Sequence, residues 1–537
     1  MGYTPKKTTL FSLVIFILFS GCLLAALLLK NNLLWMDEIL SYLFISDPSI
    51  VHLNQALISG IEQTPPLFFN LYWGLAHAIS ENVVFLKSIS IVLFAGTLAW
   101  FYAYVTRFIG TPFVNFLLVT TLAVFTYLNI TLATQIRAYA LFLLVTFIYI
   151  RIIHELAQKP ANRTLLALHV GGGVLMILTH NFGLFYLAAG GGFFGLLWLW
   201  SGDRRYGYVL GSFGVIGLIW WLTWYPYFAM QAKTGALHSW IPLPTWRSFF
   251  RIVGELAPTV SNKVEELTGT VPLLAIGRFV CLICLWVYIA IPRLRKGFKA
   301  TIADPGFTFY VLAGFFYITT IGITVVISFL HTSLFISRYL WPTHLLVIYQ
   351  LLYAFYHLVD KQSIASLIQR LGGRGRLTFL ATFYVAGLAG FLVYQSRKLV
   401  LTPTEIMTYV DQLDRKVPVF LESSINFLPT WYYNQDRPIH FLLDVESAFD
   451  PHNDPGATVG YYTLSGLKKH FQVGGVMSLD RFNADLFPHF FVIDERWNYQ
   501  IERFINNKSV SVIRRIPTEL DGFTILECRF IKSDKRL

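Results

Sequence analysis

A chain of 537 residues that is 55% hydrophobic, 17% aromatic and only 13% charged, with a mean hydropathy of +0.56, carries too little polar surface for an ordinary soluble protein. Its formal charge of +12 does not mark a nucleic-acid partner, because the Lys and Arg are scattered over short connections between apolar runs and form no single stripe. Its 4 cysteines imply no disulfide framework.

In chain order, Lys6 and Lys7 precede an apolar run from Leu10 to Leu29 that is too long for a signal peptide and shows no small-residue cleavage site, so it reads as a first span. Trp35-Met36-Asp37-Glu38 follows almost at once. An Asp at a bilayer centre costs roughly 2.5–3.5 kcal/mol on insertion scales, so carboxylates held this close to hydrocarbon tend to be kept for a task. The competing reading is that Asp37 caps a following interfacial helix. Further apolar runs fall near 83 to 106, 112 to 128, 136 to 153, 164 to 180, 182 to 200, 207 to 229, 271 to 292, 305 to 330, 338 to 359 and 377 to 396. With the first they make about eleven spans.

The segment Pro66 to Ser80 is short and carries Asn70, Trp73 and His77, and counting parity decides its place. If it lies in the interface, the basic loops at Arg107, Arg151/Lys159/Arg163, Arg204/Arg205, Arg293/Arg295/Lys296/Lys299 and Lys361/Arg370/Arg374/Arg376 all share the side of Lys6 and Lys7. If it spans, every one of them flips. The positive-inside rule therefore makes it a juxtamembrane helix, with the N-terminus cytoplasmic and everything after Gln395 outside. Residues 31–82 and 230–270 become external loops of a membrane module covering 1–396. From about Arg397 the composition turns globular. Apolar runs at Val417 to Glu422, Ile439 to Asp444, Phe490 to Asp494, Val510 to Ile516 and Phe523 to Phe530 alternate with helix-like stretches at Thr404 to Leu413 and Asn498 to Asn506. Residues 397–537 thus read as an extracytoplasmic α/β domain with a largely parallel sheet, without a nucleophile constellation or metal-ligand cluster.

On this topology Asp37, Glu38, Arg137, His180 and Arg338 share one membrane face. The ordered series Asp37-Glu38, Thr64-Pro65-Pro66-Leu67, Gln135-Ile136-Arg137-Ala138-Tyr139, Leu178-Thr179-His180 and Ser337-Arg338-Tyr339-Leu340 resembles the GT-C superfamily of polyprenyl-phosphate-sugar-dependent glycosyltransferases. The similarity is to the bacterial branch related to protein O-mannosyltransferases and the lipid A aminoarabinose transferase, and it covers roughly the first 340 residues.

That resemblance implies a multi-pass protein of the cytoplasmic (inner) membrane that moves a sugar from a polyprenyl-phosphate donor to a lipid, glycan or protein acceptor hydroxyl, usually with inversion. Asp37 would be the general base and Glu38 its partner, orienting the acceptor. No cofactor or metal is assigned, and a divalent cation, if one is used, would contact Glu38. Arg137 and Arg338 would neutralise the leaving lipid phosphate, with His180 as hydrogen-bond donor and Tyr139 and Tyr339 beside them. The arginines could instead serve as headgroup anchors, His180 as a packed helix end, and the tyrosines as aromatic-belt residues. Thr64 stands where a His or Lys often precedes the two prolines, so a donor contact there is in doubt. The competing function is a transporter or flippase for a lipid-linked precursor, which should bury ionisable groups at mid-membrane in broken helices and often shows repeat symmetry; neither feature is visible. The C-terminal domain is expected to fold alone and to affect acceptor use more than donor chemistry.

Overall fold

The computed structural model describes residues 5–29, 33–236, 240–258, 273–360, 362, 366, 374–399 and 404–531. The chain divides into two compact units. One comprises Met1–Asn32, Thr64–Trp224 and Leu243–Val400, and the other Leu33–Gln63, Tyr225–Pro242 and Leu401–Leu537.

The first unit is helical. Among the described residues, 8 helices are long and apolar enough to cross a membrane, and the bent pair Pro112–Val124 and Tyr127–Ala133 brings the number to 9. Two more of the expected apolar runs form helices of 17 and 16 residues, Arg163–Thr179 and Thr343–Leu358. At 1.5 Å per residue these reach about 25 Å, the lower end of what crosses a bilayer, so by length and apolarity eight or nine of the eleven runs are candidate spans and these two are shorter apolar helices. The bend of 72° occurs at Thr126, whose backbone is extended. There Asn129 Nδ2 donates to the Ala123 carbonyl at 2.9 Å, satisfying a group near the break.

Helix starts follow local chemistry. Asn82, Asn162 and Asp304 each accept a first-turn N–H, at 2.8, 3.0 and 3.0 Å. Pro66 opens the Pro66–Ala78 helix at a position that needs no N–H. With 13 residues this helix is too short to span.

The second unit is built on a six-stranded sheet in the order β3-β2-β1-β4-β6-β5. Its strands are β1 (Val419–Leu421), β2 (Ile439–Leu443), β3 (Val476–Ser478), β4 (His489–Glu495), β5 (Val510–Pro517) and β6 (Phe523–Phe530). The pairings β3-β2, β2-β1 and β1-β4 are parallel, while β6 runs antiparallel to both β4 and β5. The sheet is therefore mixed. The connection from β5 to β6 is too short for a parallel crossover, which needs a dozen or more residues. Phe420, Leu442, Phe482, Phe490, Val492 and Leu526 fill its core.

Two segments expected as loops of the membrane module belong to this second unit. Leu34 N–H donates to the Tyr433 hydroxyl at 2.5 Å, and the Phe44 and Phe471 rings meet edge to face at 5.1 Å. Gln231 Nε2 donates to the Glu62 carbonyl at 2.7 Å, joining the 225–242 segment to the 33–63 segment. Lys361, Arg370, residues 259–270 of the long external loop and residues 400–403 at the start of the expected C-terminal domain lie outside the described residues.

Candidate active site

Asp37 and Glu38 occupy the first turn of the Met36–Ile45 helix, where the macrodipole favours negative charge. The N-cap is Trp35, so Asp37 is the second helical residue and does not cap the helix. Glu38, only 1% exposed, folds back toward the Trp35 N–H with Oε2 at 3.5 Å. Asp37 is partly exposed and the more accessible of the two. Tyr433 closes the other side of this turn. Burial pushes its phenol above the ordinary range, the Leu34 N–H opposes that shift, and the charge of Glu38 adds to it. One turn past the helix, the buried Asp47 carboxylate bonds His52 Nδ1 and accepts the Ser49 N–H at 2.9 Å.

In the membrane unit, short elements at helix ends bring His180, Arg338, Tyr139 and Tyr339 together. His180 ends the Arg163–Thr179 helix, and its Nδ1 accepts the Phe182 N–H at 3.2 Å. With Nδ1 accepting, a neutral ring has its proton on Nε2. The ring stacks on Phe142 at 4.9 Å and lies 5.3 Å from Tyr339 and 6.1 Å from Tyr139. Arg338 sits in the one-turn 3-10 helix Ser337–Leu340, its guanidinium 5.4 Å from the centroid of the Tyr339 ring. This is cation–π range. Arg137, partly exposed, stands two positions before Tyr139. Thr64 is buried, at 7% exposure.

Glu255 was not singled out in the sequence. It ends the amphipathic Trp246–Leu256 helix, and its carboxylate accepts the Ser337 hydroxyl next to Arg338. Beside it, the Leu256 carbonyl bonds His344 Nδ1 at 2.9 Å. The far side of that imidazole contacts Asn129 at 3.1 Å, and Asn129 Oδ1 accepts Trp341 Nε1–H at 2.8 Å. The visible signal was an acid in the last turn of a helix, where the dipole opposes it, so a partner was required.

Among the described residues, three carboxylates in the sheet unit, Glu422, Asp494 and Glu502, bring oxygens within 4.8 Å of one another, close enough to hold a cation. Burial, then the charge of Glu502, pushes Glu422 well up, and burial with Asp494 raises Glu502. Glu422 also accepts the Glu495 and Ile501 N–H groups at 3.0 and 3.1 Å, which ties it into the fold. The sequence reading of this domain as lacking a metal-ligand cluster therefore missed a candidate one, because its three carboxylates come from separate elements.

These features define a polytopic helical membrane protein with a mixed α/β sheet domain. No family model matches the sequence, and no curated protein matches it. In three dimensions the chain is similar to ArnT from Cupriavidus metallidurans, crystallised with undecaprenyl phosphate, with a TM-score of 0.52 at 12% identity over 97% of each chain. At that identity the likeness is one of fold, and the fold is the one that the GT-C resemblance implies.

Proposed function

We propose that this protein is a membrane glycosyltransferase that moves a sugar from a polyprenyl-phosphate carrier to an acceptor hydroxyl at the outer face of the cytoplasmic membrane. The observation that carries this reading is the end-to-end fold likeness to a protein crystallised with undecaprenyl phosphate. An acidic pair held at a helix N-terminus, and an Arg, His and Tyr group at helix ends, supply the chemistry that such a fold would need.

Asp37 takes the proton of the acceptor hydroxyl as its oxygen bonds the anomeric carbon. The bond from that carbon to the carrier phosphate breaks with inversion, and polyprenyl phosphate leaves with the electron pair. Arg137 and Arg338 stabilise its charge, and His180 donates from Nε2. Glu38, buried behind Asp37, orients the turn and the acceptor. The basic loops keep the N-terminus cytoplasmic and the acids outside.

The decisive experiment incubates the purified protein, in lipid nanodiscs, with a panel of polyprenyl-phosphate sugars together with pooled lipid, glycan and protein acceptors. Release of free polyprenyl phosphate is expected with at least one donor. Saturable binding of several donors without release from any would replace the enzyme with a carrier.

A further inference from the structure

The Met36–Ile45 helix is a short element whose first turn must be held to a fraction of an ångström if Asp37 is to meet an acceptor hydroxyl. Locally, Glu38 reaches back to the N–H of the N-cap residue Trp35 at 3.5 Å. A shorter bond comes from far along the chain. Leu34, fully buried just before the helix, donates its N–H to the Tyr433 hydroxyl at 2.5 Å across 399 residues of sequence. Tyr433 is the last residue of the Ser424–Tyr433 helix, which connects β1 to β2. Its neighbour Tyr432 meets Tyr42 edge to face at 6.3 Å, and Phe471 meets Phe44 at the far end of the same short helix. The base-bearing helix is therefore held just before its start and along its length by residues of the sheet domain.

We infer that Tyr433 is a positioning residue for the acidic pair, so that the sheet unit bears on the chemical step as well as on the acceptor. This rests on the reading of Asp37 as the base, and it sets aside the expectation that residues 397–537 affect acceptor use more than donor chemistry. A phenol suits the task. Its oxygen accepts the Leu34 N–H while its own proton stays in place beside the acidic pair. Tyr433→Phe keeps the ring and deletes only the oxygen, leaving a buried N–H without its acceptor.

The experiment measures sugar release in nanodiscs for four single variants and one double. Tyr433→Phe is expected to lower kcat by roughly ten- to a hundred-fold while the donor KM stays within about two-fold, the pattern of a misplaced catalytic group. Tyr409→Phe is the control. It deletes a comparable bond in the same unit, from Glu519 N–H to the Tyr409 hydroxyl at 2.9 Å, and should leave kcat unchanged. In an Asp37→Asn background the Tyr433→Phe change should cost nothing further, because the group it positions is gone. Equal losses in Tyr433→Phe and Tyr409→Phe, or losses that multiply in the double variant, would reduce Tyr433 to a general fastener and overturn the inference. Arg338→Ala and Asp37→Asn, run alongside, report on the enzyme reading itself. If both keep wild-type kinetics, it is that reading which falls.

Discussion

Gly466 lies inside the Ala457–Phe471 helix, and a methyl group added there distinguishes packing from propensity by the sign of its effect. An ideal Cβ at this position would stand 2.2 Å from Ile61 Cγ1, 2.9 Å from its Cδ1 and 3.4 Å from its Cβ. Ordinary carbon contacts begin near 3.5 Å, so the overlap exceeds about 1 Å. Ile61 is 5% exposed, so its side chain is packed on nearly all sides. Overpacking of this kind costs about 1–3 kcal/mol, whereas Gly→Ala in an unobstructed helix interior stabilises by about 1 kcal/mol. If the 33–63 segment sits on this helix as described, Gly466→Ala should lower the melting temperature of the purified protein and reduce sugar release, because the displaced segment carries Asp37. Ile61→Ala removes the two clashing carbons. Alone it should destabilise by about 2–4 kcal/mol through the cavity it leaves, but combined with Gly466→Ala the total should fall well short of the sum. A Gly466→Ala protein more stable than the wild type and equally active would refute the packing of the acidic loop against the sheet domain.

Asp37→Asn should keep the protein inserted and folded, since Asp37 is not the cap of its helix, yet lower transfer by at least about two orders of magnitude. Near-normal turnover would pass the role of base to Glu38. Arg137→Ala and Arg338→Ala should each weaken use of the lipid-phosphate donor, and Lys should rescue Arg338 only in part because an ammonium lacks the planar fork and the stacking on Tyr339. Unchanged donor kinetics in both Ala variants would leave the arginines as headgroup anchors. Finally, Glu422, Glu495 and Glu502 are all raised by burial, so the native chain holds these protons more tightly than the unfolded chain. Their contribution to stability is present below the ordinary Glu value of about 4.3 and is lost as pH rises through the raised native values. Thermal unfolding should therefore show the sheet unit more stable at about pH 5 than at about pH 8, with a flatter profile in Glu502→Gln. A profile rising from acid to neutral pH would show the cluster to be ionised in the fold.

The helical framework was legible because each apolar run is a local pattern, and each of the eleven runs corresponds to a helix or a bent pair. The 338 to 359 run is longer than its helix because its apolar pattern begins in the 3-10 turn before Thr343. Five strands could be read from their β-branched and aromatic content, whereas β3, with 3 residues, gives no such signal. The alternation of strands and helices suggested a parallel sheet, but the close spacing of β5 and β6 forces antiparallel pairing at one edge. Tyr139, His180, Arg338 and Tyr339 could be grouped in advance because each lies at the end of an apolar run. The allegiance of 33–63 to the sheet domain could not, since it rests on contacts such as Leu34 to Tyr433 that leave no local trace. The same holds for Glu422, Asp494 and Glu502, which adjacent strands and a loop bring together.

The 399-residue separation between Leu34 and Tyr433 also sets a clock. At about 5–20 residues per second, a ribosome takes about 20 to 80 seconds to travel from one to the other. Throughout that interval the early helices can insert while the acidic turn waits without its seat. A product cut short before Tyr433 would lack the bond that seats the acidic turn, so the order of synthesis leaves this contact among the last of the 33–63 segment to form.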